Sequence, residues 1–207
     1  MAELTFEMSG FENVKRVIER FPRGTIFFPE EFFVIGSEDT VRSAFVRLCE
    51  DGTIIRLGQG IYCYPLIDEK WGMGVLYPSI DEIAKAIAKR DHCLIAPTGA
   101  SALNTLGLST QLQANVVYYT NGSPRRINIG KGRGILFKRS SEMKRFSFKN
   151  GLMQLIVAAL REIGNGKVAE DEKQKIKERL AEVSSSDFNH DIALAPAWVQ
   201  KLLKELR

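Results

Sequence analysis

Ser37-Glu38-Asp39-Thr40-Val41-Arg42-Ser43-Ala44-Phe45-Val46-Arg47-Leu48-Cys49-Glu50-Asp51-Gly52, followed at once by Thr53-Ile54-Ile55-Arg56-Leu57-Gly58-Gln59-Gly60-Ile61-Tyr62-Cys63-Tyr64, is the stretch that decides the fold. Ser37 is a good helix N-cap, and Glu38 and Asp39 fill a first turn where the helix dipole favours negative charge. Val41, Ala44, Phe45 and Leu48 recur at helical spacing and form one apolar face. The helix runs to about Glu50 and closes at Asp51-Gly52. Thr53–Leu57 and Gly60–Tyr64 are then two β-rich runs around Gly58-Gln59-Gly60, which predicts a hairpin.

Working towards the N-terminus, Val14, Val17, Ile18 and Phe21 mark one face of a helix over Phe11–Phe21, stopped by Pro22 and Gly24. Thr25–Phe28 is extended. Pro29 opens a short helix ending near Phe33, and Val34-Ile35-Gly36 turns into the Ser37 helix. Two helices joined by a tight turn and followed by a β-ribbon predict a winged helix-turn-helix over residues 8–66, a module that binds double-stranded DNA.

Working towards the C-terminus, Pro65–Pro78 reads as a connection that packs through Trp71 and Tyr77. A second domain, residues 79–207, begins with a helix capped by Ser79 and running through Arg90. Cys93–Ala96 is a short strand and Thr98–Leu106 a small-residue helix. Val116–Thr120, Arg126–Ile129 and Ile135–Lys138 follow as a β-meander. Helices over Leu152–Ile163, Glu170–Val183 and Pro196–Leu206 close the chain, with Ser184-Ser185-Ser186 as a break. The fold class is α+β: an N-terminal winged helix-turn-helix, then a mixed domain with a small antiparallel sheet and packed helices.

The 207 residues are 44% hydrophobic and 26% charged, as in a soluble globular chain. No apolar run nears the roughly 18–20 residues that span a bilayer. The first residues lack the basic and apolar regions of a signal peptide, so the expected location is cytoplasmic, away from membranes. Cys49, Cys63 and Cys93 form no CxxC pair and are odd in number, which points to packed thiols and to neither a disulfide framework nor a metal site.

The net charge of +4 is uneven: −4 over residues 1–75 and +8 over 76–207. Within 121–149 nine basic side chains face the single Glu142. The basic excess thus lies outside the segment read as DNA-binding. Because affinity for DNA rests largely on neutralised phosphates, either dimerisation or the basic second domain is expected to supply part of the grip.

The DNA-reading candidates are Ser37, Thr40, Arg42, Ser43 and Arg47 on the second helix, with Arg56 and Gln59 on the wing. Arg125, Arg126, Lys131, Arg133, Lys138 and Arg139, followed by Lys144, Arg145 and Lys149, form a basic face for nucleic acid or a partner. The alternative to regulation is therefore an interaction protein. Its basic second domain would bind RNA or a protein partner, with the winged helix as scaffold. Gly130-Lys131-Gly132-Arg133-Gly134 lacks phosphate-loop spacing and reads as a hairpin turn. Pro97-Thr98-Gly99-Ala100-Ser101 opens a helix and offers a weaker site for an anion, although Ala100, Ala102 and Gly107 fit close packing better. His92 and His190 have no partners at catalytic spacing, so neither an enzyme nor a cofactor is expected.

Pro22-Arg23-Gly24-Thr25-Ile26-Phe27, Pro29-Glu30-Glu31-Phe32, Val41–Leu48, Gly52–Leu57 and Gly60-Ile61-Tyr62 together resemble the N-terminal winged helix of AbiEi-type antitoxins, in particular the DUF6088 branch. Pro97–Gln111 resembles that branch's central motif, and Val117–Thr120, Arg126-Ile127 and Pro196-Ala197-Trp198 are also similar. The likeness covers roughly residues 11–140. It implies a bacterial repressor of its own toxin–antitoxin operon; as a DNA-binding regulator the chain is expected to bind an operator inverted repeat, with a homodimer on DNA as one way to supply the grip. It also implies a C-terminal domain that antagonises a nucleotidyltransferase toxin.

Overall fold

A computed structural model describes residues 10–68, 70, 72–111, 115–130 and 132–207. The chain divides into two compact units. The first runs to Ala86 and takes back a short stretch beginning at Asn128; the second comprises Ile87–Ile127 and Gly132–Arg207.

In the first unit, helix α1 (Gly10–Glu19) is followed by the two-residue strand β1 (Ile26–Phe27), a 3₁₀ turn over Pro29–Phe32 and helix α2 (Glu38–Glu50). Strands β2 (Ile55–Gly58) and β3 (Ile61–Cys63) make the expected hairpin, with Gly60 at φ +68° taking the left-handed turn conformation. The short helix expected after Pro29 is this single 3₁₀ turn. Its N-terminal Phe28 supplies no side-chain cap, and the chain soon turns again towards Ser37.

The sheet order is β1-β3-β2, with Ile26 opposite Cys63 and Ile55 opposite the same residue on the other side. Val14, Ile18, Phe27, Phe32, Val41, Ala44, Phe45, Leu48 and Ile54 form the core. Phe27, Phe32, Phe45 and Tyr62 meet edge-on, with the Phe45–Tyr62 centroids 4.7 Å apart and Phe32–Phe45 5.1 Å apart. Edge-to-face contact of this kind adds to the area these rings bury and fixes the angle at which α2 sits on the sheet.

The connection read over Pro65–Pro78 contains more structure than its Pro and Gly content suggested. Strands β4 (Leu66–Asp68) and β5 (Gly74–Leu76) pair antiparallel, Ile67 opposite Val75. Tyr77 is exposed and Trp71 lies outside the described residues. Helix α3 (Ile80–Arg90) starts with a complete capping box. The Ser79 amide and hydroxyl both donate to Glu82 at 2.7 Å, and the Glu82 amide donates to Ser79 Oγ at 3.2 Å. The division between the units falls within α3.

The second unit carries β6 (Ile95–Pro97), helix α4 (Gly99–Thr105), β7 (Asn115–Thr120), β8 (Arg125–Asn128) and β9 (Gly134–Arg139). These strands pair in the order β6-β7-β9-β8, with β6 antiparallel to β7 and β7 parallel to β9. The expected meander is corrected by that order: β9 inserts between β7 and β8, so this sheet is mixed. Helices α5 (Gly151–Ile163), α6 (Glu170–Leu180), α7 (Ser185–Asp191) and α8 (Ala197–Leu206) complete the unit. The serine run lies at the expected break, after α6 has ended at Leu180, and Ser184 also starts the next helix: its Oγ accepts from the Asp187 amide at 3.1 Å and caps α7.

The core of this unit gathers Met153, Ile156, Val157 and Leu160 of α5 with Ile176, Leu180, Phe188, Val199 and Leu203. Asp191 is fully buried. It accepts from the Lys149 amide at 2.9 Å and the Asn150 amide at 2.8 Å, and His190 Nδ1 lies 2.7 Å from it. It thus pins the start of α5, where Asn150 caps the Leu152 and Met153 amides.

Candidate nucleic-acid interface

The outward face of α2 follows from its inward one. Val41, Ala44, Phe45 and Leu48 are buried, which leaves Asp39, Arg42, Ser43, Val46, Arg47 and Glu50 exposed at i, i+3, i+4, i+7, i+8 and i+11. Arg42, Ser43 and Arg47, read from sequence as DNA contacts, therefore share one stripe. Arg42 is paired with Glu38 one turn earlier, and Arg47 lies over the Phe11 ring with its guanidinium 5.9 Å from the centroid. Both interactions are solvent-exposed and weak, so either arginine can exchange its partner for a phosphate or a guanine edge.

Ser37 and Thr40 sit differently. Ser37 Oγ accepts from the Thr40 amide at 3.3 Å, and the two hydroxyls lie 2.8 Å apart. Thr40 is half-buried. These two residues build the helix start and orient it. Arg56 is exposed on β2 and its Nε donates to the Gly58 carbonyl at 3.2 Å, stiffening the irregular register of the hairpin between them. Gln59 is exposed at the hairpin tip. Asp39 and Val46 share the α2 stripe with the arginines and were missed as site residues. Their spacing from Arg42 would have found them, since helix neighbours three and four apart share a face.

The basic segment of the second unit separates into two groups. Arg125 is half-buried, paired with Asp91, and its guanidinium stands 5.8 Å from the Phe137 centroid. Arg145 stacks over Tyr119 at 4.6 Å and donates to Glu142 at 2.7 Å, and Arg161 reaches the same carboxylate at 2.9 Å. Arg126, Arg133, Lys138, Arg139, Lys144 and Lys149 are exposed, while Lys131 lies outside the described residues.

The Thr98–Ser101 helix start is turned inward. Thr98 Oγ1 and Ser101 Oγ both donate to the Val117 carbonyl at 3.0 Å, and Ser101 Oγ accepts from the Val117 amide at 3.1 Å. A Cβ on Gly99 would collide with the Glu162 side chain of α5. The small residues of this motif serve close helix packing and leave no open anion site. His92 follows α3 in a left-handed conformation at φ +51°. Among the described residues no helix is long and apolar enough to cross a membrane, and no three His, Cys, Asp or Glu side chains gather in a way that could hold a metal ion.

A family model matches residues 13–188, and the chain belongs to that family, the family of unknown function DUF6088. No curated protein matches the chain. Among solved structures, the RV2827C protein from Mycobacterium tuberculosis is similar at 15% identity, covering 93% of this chain and 80% of its own, with a TM-score of 0.40.

Proposed function

We propose that the chain is a DNA-binding transcriptional regulator of the AbiEi antitoxin type, acting by binding alone, in the cytoplasm, without a cofactor. The order α1, β1, 3₁₀ turn, α2, β2, β3, with β3 between β1 and β2, supports a winged helix. In it α2 enters the major groove and the β2–β3 hairpin is the wing. The observation that carries the reading is the α2 stripe, where Arg42, Ser43 and Arg47 stand exposed together while the opposite face is locked into an aromatic core. Arg42 and Arg47 then supply base-edge or phosphate contacts, and Arg56 and Gln59 meet the backbone beside them.

The resemblance to AbiEi-type antitoxins supports two further parts of the proposal. The protein represses its own operon, and it antagonises a nucleotidyltransferase toxin; a homodimer on an inverted repeat would double the contacts of the acidic first unit. A second reading, an interaction protein whose basic second unit binds RNA or a protein partner, is favoured by the exposed Arg126, Arg133, Lys138 and Arg139.

Selection from a randomised duplex pool followed by fluorescence anisotropy tests the first reading. Enrichment of an inverted repeat, with weaker binding by Arg42→Ala and by Arg47→Ala, is the expected result. Failure to enrich any duplex sinks it.

A further inference from the structure

The β4–β5 hairpin of the first unit exposes apolar side chains that its own fold leaves uncovered. Cross-strand partners in an antiparallel pair point to the same face, and successive residues to opposite faces. Leu66 stands opposite Leu76 and Ile67 opposite Val75, so the two pairs occupy opposite faces. The Leu66 face leans on the body of the unit. A Cβ on Gly24 would lie 3.1 Å from Leu66 Cδ1, and Arg23 donates to the Pro65 carbonyl at 3.1 Å beside it. Leu66 and Leu76 keep part of their surface at the edge of that contact. The other face is turned away from this support. Ile67 is 46% exposed and Val75 39%. Tyr77, two residues beyond Val75, is 66% exposed, and Met73, just before β5, is 65% exposed.

A two-stranded hairpin alone is marginal in water and is stabilised by further strands or by packing of an apolar face on another layer. Among the described residues no third strand joins this pair. Ile67, Met73, Val75 and Tyr77 present on the order of 400 Å² per copy, a patch of the size that marks an interaction site on a monomer. Two copies stacked face to face would bury roughly 800 Å² from these side chains alone, and the flanking backbone brings the total to about 1,000 Å², the lower bound of a specific interface.

The composition of the hairpin selects the occupant. Residues 65–78 hold Asp68 and Glu69 against Lys70 alone, whereas a lipid surface or a nucleic acid calls for an excess of Lys and Arg. Four uncharged side chains, one of them aromatic and one a methionine, match the centre of a homodimer interface. A twofold axis lets one patch serve both copies.

We infer that the Ile67–Val75 face of the β4–β5 hairpin is a self-association surface, on which a second copy of this chain packs sheet against sheet about a twofold axis. The inference does not rest on the DNA-binding reading. Its residues lie outside α2 and the association is measured without DNA, so either can fail alone. An interface at the lower size bound gives a reversible dimer, with a Kd of about 1–10 µM.

Sedimentation velocity of the full-length protein over about 1–100 µM, without DNA, tests this. The weight-average mass is expected to climb from monomer towards dimer across that range. Val75→Glu and Tyr77→Glu each place a charge that a second copy would have to desolvate, and each should weaken association at least about tenfold. Both side chains are exposed, so the melting temperature of the dilute monomer should not move. Crosslinking then locates the surface. Cys49→Ser with Cys93→Ser removes the two half-exposed thiols, and Cys63 stays silent because burial pushes its thiol up to about 11. In that background Val75→Cys should give a covalent dimer with a short bismaleimide, and the exposed Lys204→Cys on α8 should not. A protein that stays monomeric at about 100 µM overturns the inference, whether the face is then found on lipid vesicles or on another protein. So does a dimer untouched by both glutamate variants, or one that crosslinks as readily through Lys204→Cys as through Val75→Cys.

Discussion

The acidic region of the molecule presents its arginines, and the basic region uses several of its own internally. On α2, in a stretch with a net charge of −4, Arg42 and Arg47 are exposed, and among the described residues they meet Glu38 and the Phe11 ring. In the second unit, Arg125, Arg145 and Arg161 are occupied by Asp91, Glu142, Phe137 and Tyr119. On the proposed DNA-binding reading, a charge count alone is a poor guide to where a nucleic acid is gripped. What matters is which guanidinium groups can change partners at little cost, and exposed pairs of the α2 kind exchange far more readily than half-buried, stacked ones.

The largest way to break this comparison is to remove the core that presents α2. Phe45→Ala deletes the ring shared by Phe27, Phe32 and Tyr62. It should cost about 3–5 kcal/mol in denaturant unfolding and abolish DNA binding with it. The matching change in the second unit is Asp191→Ala, which strands the Lys149 and Asn150 amides. A loss of about 2–4 kcal/mol is expected, because each buried donor left unmade carries its own desolvation penalty. Circular dichroism melts that show no loss for Asp191→Ala would mean that the start of α5 is held by Asn150 alone.

Single arginine changes come next. Arg42→Ala and Arg47→Ala should each weaken duplex binding by about 1–3 kcal/mol, read by anisotropy, with unfolding unchanged. The smallest effect is one of pH. Burial works to raise the Glu142 carboxyl, but the hydrogen bonds and charges of Arg161 and Arg145 outweigh it, and the net shift is downward. A carboxylate depressed in the folded state contributes stability above its unfolded pKa and loses it as pH falls through the folded one. The second unit should thus lose stability below about pH 4, and Glu142→Gln should remove that component. With this side chain 38% exposed, solvent screening keeps the effect under about 1 kcal/mol. Equal acid sensitivity in wild type and Glu142→Gln would show that the two arginines do not hold the carboxylate.

Helices α1 and α2, the Ser37 and Ser79 caps and the β2–β3 hairpin were legible because their signals are local: apolar periodicity, cap chemistry and turn residues. The parallel β7–β9 pair was not, since three successive strands with short turns read as a meander whichever strand enters the middle of the sheet. The β4–β5 hairpin was hidden by Gly72 and Gly74, both at positive φ, and the break at Ser184-Ser185-Ser186 was legible while the helix that Ser184 caps after it was not. The α2 stripe was half legible. Arg42, Ser43 and Arg47 stood out by chemistry, while Asp39 and Val46 needed the buried face to be fixed first. The occupation of Arg125, Arg145 and Arg161 could not be read at all, since Asp91 and Arg161 lie outside the 121–149 segment and meet it only in the fold.

The most direct measurement is the ratio of affinities for a selected inverted repeat and for a scrambled duplex, at one fixed salt concentration, in three proteins. Arg42→Ala with Arg47→Ala should lower the ratio at least about tenfold, since base contacts carry specificity. Arg126→Glu with Lys138→Glu and Arg139→Glu should leave it unchanged, whatever it does to overall affinity. A ratio that survives the α2 changes and collapses with the second-unit changes would contradict the account.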